Sequence, residues 1–228
     1  MGITINWANW QTWQSYAYRV DPRYPHAISV CTVQPTEEPI TLEQAKLRAG
    51  LSWTSGGSPA DPRDDLMLSF IKAARSKVEH DTGLALITQT RDVYFDAVRG
   101  TVIVLPWQCM PLQAVTSIET IDTAGAVHVM DPASYVVDGA GGRIALAQGA
   151  SWPSNLRAFQ PWTITLVAGW EDAATLAADA PALTHAVGLL TAHYATTGRD
   201  VVLEDRRVIE TPQGYAQILE PYLPITLV

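Results

Sequence analysis

Cysteine is nearly absent. Cys31 and Cys109 are the two in 228 residues, so neither a disulfide framework nor a zinc-type ligand spacing can be written from them, and two reduced thiols are expected. Charge is scarce too. Asp, Glu, Lys and Arg make up 17% of the chain, against roughly 25% in an ordinary soluble domain. The basic side is the smaller: 15 Lys and Arg against 23 Asp and Glu leave a net charge of −8. That balance argues against wrapping a nucleic-acid backbone, which needs clustered cations. No apolar run approaches the roughly 20 residues that span a bilayer, so no membrane contact is expected. The opening Met1–Trp7 has neither a basic nor an apolar leader region, so the expectation is a protein made in a cytoplasm without a signal peptide. Gly and Pro, 15 each, are near their average share, which excludes low complexity along the whole chain.

Recognisable chemistry is lacking as well. His26, His80, His128, His185 and His193 include no pair at metal-ligand spacing; His185 and His193 are two turns apart on one predicted helix. Gly149-Ala150-Ser151-Trp152-Pro153 begins like a nucleophile elbow but lacks the closing glycine and a following helix. Gly139–Gly142 lacks the Lys-Ser/Thr of a phosphate loop and is explained as a turn between two strands. Asp64 and Asp65 open a helix, where the helix dipole favours acid, and need no acid–base role. The expectation is no enzyme, no catalytic residue, no cofactor and no metal.

What is abundant is tryptophan, eight residues against three Phe. Large amphipathic rings and few charges suit a subunit that buries surface against neighbours. Residues 1–38 form an aromatic, proline-punctuated arm in which Trp7, Trp10 and Trp13 recur every third residue. Such an arm either docks on a partner or folds back on its own domain.

Residues 39–198 form the core, an α+β fold in which a small helical bundle carries an inserted antiparallel sheet or sandwich. Thr41-Leu42-Glu43-Gln44 is a capping box for a helix over 41–49. Ser55–Pro59 is a connector. Asp61-Pro62 opens a helix over 62–82 that Gly83 ends, with Met67, Ile71, Ala74 and Val78 as its apolar stripe and Leu66, Phe70 and Ala73 broadening it. Between 88 and 169 the period falls to two. Successive β-branched runs separated by turn signals, with no helical pattern between them, predict antiparallel strands. Pro181 opens a third helix over 181–197, with Leu183, Val187, Leu190 and Tyr194 on one face. Residues 199–228 form an extended tail with spaced apolar residues: Tyr215, Ile218, Leu219, Tyr222, Leu223 and Ile225. A tail this apolar lies on its own domain or on a partner.

The order of these segments resembles the head–tail connector (adaptor) proteins of long-tailed bacteriophages and gene transfer agents. The likeness runs from about residue 40 to 197. It begins with Ile40-Thr41-Leu42-Glu43-Gln44-Ala45-Lys46 and continues through Asp64-Asp65-Leu66, Ile71-Lys72-Ala73-Ala74-Arg75 and Val78-Glu79. Leu105-Pro106, Pro111-Leu112, Ser117-Ile118, Tyr135–Asp138, Gly142-Arg143-Ile144, Trp152-Pro153 and Val167–Trp170 follow in family order. Both ends of the chain lie outside the likeness.

The resemblance implies structural work. Such adaptors form a ring, commonly of twelve copies, beneath the portal protein. The ring extends the DNA channel and presents a platform for a stopper or tail-terminator protein. Packaged DNA passes through without sequence-specific binding, and the place of action is the particle neck, after assembly in the bacterial cytoplasm. On this reading Tyr215, Ile218, Leu219, Tyr222 and Leu223, with Trp7, Trp10 and Trp13, are the expected contacts to the portal or a neighbouring subunit. Three alternatives stay open: another neck component such as a stopper, a ligand-binding β module that uses exposed Trp as a stacking surface, and a hydrolase with dispersed carboxylates.

Overall fold

The computed structural model describes residues 27–53, 55, 61–197 and 213–223. They fall into two units. One holds the described residues up to Gln34 together with Gln89–Gly169; the other holds Pro35–Thr88 and the described residues from Trp170 onward. Gln89–Gly169 is thus inserted between the two halves of the helical unit, while the described residues up to Gln34 precede it; the architecture is α+β.

In the helical unit the local signals set the ends of each element. Helix α1, Leu42–Arg48, starts on the expected capping box: Gln44 N–H donates to the Thr41 hydroxyl at 3.2 Å and Thr41 N–H to Gln44 Oε1 at 3.0 Å. Helix α2, Pro62–Thr82, begins where the Asp61 carboxylate accepts from Arg63 N–H, and it ends at Gly83, whose φ of 72° is the left-handed cap a glycine takes without strain. Met67, Ile71, Ala74 and Val78 are fully buried. The stripe widens on the opposite side from the expected one. Leu66 is 49% exposed and Ala73 lies in solvent, while Arg75 and Thr82 are buried. At about 100° per residue both flanks adjoin the stripe, and here the polar flank has partners waiting for it.

Helix α3, Ala173–Asp179, is capped by Asp172, which accepts from Thr175 N–H at 2.7 Å. Helix α4, Pro181–Thr197, buries Leu183, Ala186, Val187 and Leu190. The end of the expected tail contains helix α5, Gln213–Leu219, followed by a 3₁₀ turn over Glu220–Tyr222. Within this unit α4 packs against α1, α2, α3 and α5.

The strand unit has two antiparallel sheets. One has the order β1-β2-β8-β4-β5, from Ile28–Val33, Gln89–Phe95, Trp162–Ala168, Leu112–Ile121 and Val127–Val129; the other has the order β3-β7-β6, from Val102–Val104, Arg143–Leu146 and Tyr135–Asp138. Strand β8 shows the expected alternation: Trp162, Ile164, Leu166 and Ala168 are buried and the Thr and Val residues between them are not. Val93, Phe95, Ile103, Ile118 and Ile144 complete this core. Gly139–Gly142 is the β6–β7 turn, as expected. The Asp138 carboxylate accepts from Gly141 N–H and Arg143 Nε, and Gly142 sits at φ 60°. Residues 28–33, read from sequence as part of the arm, form the edge strand β1 instead, paired with β2 from Ile28↔Tyr94 to Val33↔Thr90.

Candidate assembly surfaces

Two buried polar clusters of the helical unit are internally satisfied. Lys46, nearly fully buried, donates to Glu43 Oε1 at 3.1 Å and to the Trp53 carbonyl at 3.3 Å, contacts Ser55 Oγ, and pairs with Asp64 at 3.3 Å. Trp53 Nε1 donates to Asp64 Oδ1 at 2.6 Å, and its ring lies 4.7 Å from the Lys46 ammonium and 4.9 Å from the Arg63 guanidinium. Burial opposes the Lys46 charge, but the bonds to Glu43 and Asp64 outweigh it and its pKa is raised. The Trp53 hydrogen bond, joined by those from Ser55 and Lys46, holds the Asp64 pKa down against desolvation. Asp64 therefore clasps the α1–α2 connector, a role the helix-dipole account missed. Its signal in the sequence was an aromatic and a serine in a connector just ahead of an acidic first turn.

A second cluster, Arg75 with Glu38 at 2.8 Å and Glu79 at 3.0 Å, ties residues 35–40 to α2. Burial disfavours the Arg75 charge, and the two carboxylates more than restore it. In the strand unit Arg91 Nε donates to Ser29 Oγ at 2.9 Å, and the Thr165 hydroxyl to Asp92 at 2.8 Å. Burial pushes the Cys109 thiol up to about 11, while Cys31 on β1 is half-buried. Among the described residues no three His, Cys, Asp or Glu side chains gather as a metal site would need. The described tryptophans of the strand unit form no stacking surface: Trp152 and Trp162 pack edge to face at 5.5 Å with Trp162 buried, and Trp107 alone of that unit is exposed.

Among the described residues several large apolar side chains stand exposed. Helix α1 exposes Leu47, α2 exposes Leu66, the edge strands β1 and β5 expose Ile28, Val30, Val33, Val127 and Val129, and the loop before β8 projects Phe159. That loop is held firmly. Thr123 N–H donates to the Asn155 carbonyl, Arg157 N–H to Ile121, the Arg157 guanidinium to the Gln160 carbonyl, and Gln160 N–H to Asp96. Asn155 and Gln160 take left-handed φ values of 63° and 45°.

Of the side chains expected to meet a partner, Trp7, Trp10 and Trp13 lie outside the described residues. Tyr215 and Leu219 are turned into their own unit, buried at 5% and 2% exposure, and the Tyr215 hydroxyl donates to Asp81 Oδ2 at 2.7 Å. Burial first, and then the Asp81 carboxylate, push the Tyr215 pKa far above the usual phenol range. Ile218 and Tyr222 are half-buried, and Leu223 is exposed. The tail's first apolar residues thus lie on their own unit, and the outward end of the segment is left for others.

No protein-family model matches the sequence, and none of the curated proteins does. Solved structures do. A chain in the neck of an empty gene transfer agent particle, computed with C6 symmetry, is 26% identical over 89% of this chain and 97% of its own, at a TM-score of 0.61. The chain resembles a gene transfer agent neck protein. A chain in the virion of a native gene transfer agent particle is 24% identical over 88% and 97%, at a TM-score of 0.64. A third, in the neck of a native particle computed with C12 symmetry, is 24% identical over 87% and 97%, at 0.60. The likeness covers both units, and it agrees with the ordered motifs in pointing to the neck of a gene transfer agent particle.

Proposed function

We propose that this chain is a structural subunit of a particle neck: an adaptor that assembles as a ring beneath the portal, extends the DNA channel and seats the next neck or tail protein. The observation that carries the reading is likeness to a neck chain over 89% of this chain and 97% of the other. The surface suits it. Satisfied polar clusters, exposed aliphatic edges and a rigidly held Phe159 belong to a protein that buries surface against neighbours, and the reading assigns it no reaction. The net charge of −8 suits a wall past which DNA slides without sticking.

The partners on this reading are the portal, neighbouring copies in a ring of twelve, and a stopper or tail terminator. The tail meets the portal or a neighbour through its outward residues, Ile218, Tyr222 and Leu223. Trp7, Trp10 and Trp13 contact an adjacent ring component. The work is done in the neck of the assembled particle.

A second reading within the same neck is another component, such as a stopper. Electron microscopy of particles from a strain lacking the gene tests the first. Separated heads and tails are expected, and intact tailed particles would overturn it. Locating the chain in the wild-type neck separates the two readings: directly against the portal for the adaptor, further along the neck for the alternative.

A further inference from the structure

A ring generated by rotation repeats one head-to-tail contact, which joins two different patches of the same chain. The five-stranded sheet of the strand unit ends in two such patches. Among the described residues β1 has no strand on its outer side and neither has β5. Natural sheets guard free edges with Lys, Pro or inward charges. Ile28-Ser29-Val30-Cys31-Thr32-Val33 and Val127-His128-Val129 contain no Lys, no Pro and no Asp or Glu.

The register adds a second argument. Ile28 pairs with Tyr94, Tyr94 with Thr163, Thr163 with Glu119, and Glu119 with Val129. Opposed residues share a face, so one continuous row crosses all five strands and ends at both edges in an exposed β-branched side chain: Ile28 is 47% and Val129 65% exposed. Every pairing in the sheet is antiparallel, and four reversals separate the edges, so β1 and β5 run in the same direction. A head-to-tail junction between them is therefore parallel and keeps both aliphatic faces on one side.

We propose that β5 of one copy pairs in parallel with β1 of the next, which makes the strand units of the ring one continuous sheet. The occupant of each edge is a second copy of this chain, and the proposal rests on the ring reading above. Five strands at about 4.8 Å give each copy roughly 24 Å of sheet, so twelve copies close at a diameter of about 90 Å, an open ring and not a packed barrel.

Cysteine pairs test the junction in assembled particles carrying Cys31→Ser. Ile28→Cys, Val30→Cys and Val33→Cys, which the bulge before Val33 keeps on one face, are each combined with Val129→Cys to sample the registers that keep the faces aligned. Mild oxidation is expected to give a ladder of covalent multimers with one of these pairs and nothing with any single variant. Particles whose necks contain the ring but yield no ladder with any of these pairs would hand the β1 edge to another occupant, residues 1–26 or a different neck protein, and overturn the proposal. A dimer from Ile28→Cys alone would do so as well, because β1 would then meet β1. Necks that lack the chain altogether would overturn the ring reading itself. Independently, Val30→Lys in the otherwise native chain is expected to cut incorporation at least tenfold with an unchanged melting temperature; undiminished incorporation would refute the junction.

Discussion

Replacing Tyr215 by Phe removes one atom from the contact that fastens α5 to the helical unit. The hydroxyl donates to the Asp81 carboxylate at 2.7 Å, and a hydrogen bond to a charged group contributes about 1.5–3 kcal/mol. Asp81 keeps its ion pair with Lys77, so no buried acceptor is stranded and the low end, about 1.5 kcal/mol, applies. The ring remains. Its roughly 150–250 Å² of buried surface, at about 25 cal/mol per Å², still holds the helix by several kcal/mol. Helix α5 has only 7 residues, too few to persist in water undocked, so its amides exchange whenever it leaves. About 1.5 kcal/mol then predicts roughly tenfold faster hydrogen exchange at 215–219 in Tyr215→Phe, with the rest of the unit unchanged. Tyr215→Ala loses the ring as well and should leave these amides unprotected. Exchange at 215–219 equal to wild type in both variants would refute the reasoning, because α5 would then be held by something other than Tyr215.

Further outcomes follow from the same structure. The folded chain holds the Tyr215 proton more tightly than the unfolded chain. Docking of α5 is therefore complete below the ordinary phenol value near 10 and weakens as pH rises above it, a step visible in exchange or circular dichroism and absent from Tyr215→Phe. Arg75→Ala should take the counter-charge from Glu38 and Glu79, which are 13% and 15% exposed, and destabilise the protein by about 3 kcal/mol, read as a melting point lower by roughly 6–12 °C. At pH 8 a thiol reagent should label one cysteine per native chain, Cys31, and two in denaturant, because Cys109 is buried with its thiol pushed up to about 11. Gly142→Ala places a side chain at φ 60° with its Cβ 2.8 Å from Met110 Sδ, and thermal melting should show a loss of about 1–3 kcal/mol.

The sequence made legible those elements whose signal is local. Helix α2 announced both its caps and a repeating stripe, β8 its strict alternation, and the β6–β7 turn its glycines. Three elements escaped. Strand β1 shows no clean alternation because as an edge strand it is exposed along most of its length, and its partner Arg91 lies 60 residues away from Cys31. Helix α3 buries only Leu176, so seven residues carried no period. Tyr215 and Leu219 stood at helical spacing, yet whether they serve their own unit or a partner depends on Asp81, 134 residues distant from Tyr215. The assembly surfaces were the least legible part. An uncharged strand becomes an open edge only once the strand order is known, and Phe159 is held outward by hydrogen bonds that reach as far as Asp96.

Insertion of Gln89–Gly169 between α2 and α3 also dictates a schedule of synthesis. The strand unit is fully available once Gly169 has left the ribosome. The stripe of Met67, Ile71, Ala74 and Val78 on α2 must wait for α4, which begins roughly 100 residues after α2 ends. At about 5–20 residues per second that stripe spends on the order of 5–20 s uncovered in every nascent chain. The interval exposes the growing protein to holdases and to its own siblings on the same message. Expression at lower temperature, or with more chaperone, should raise the yield of soluble chain by shielding α2 until α4 arrives.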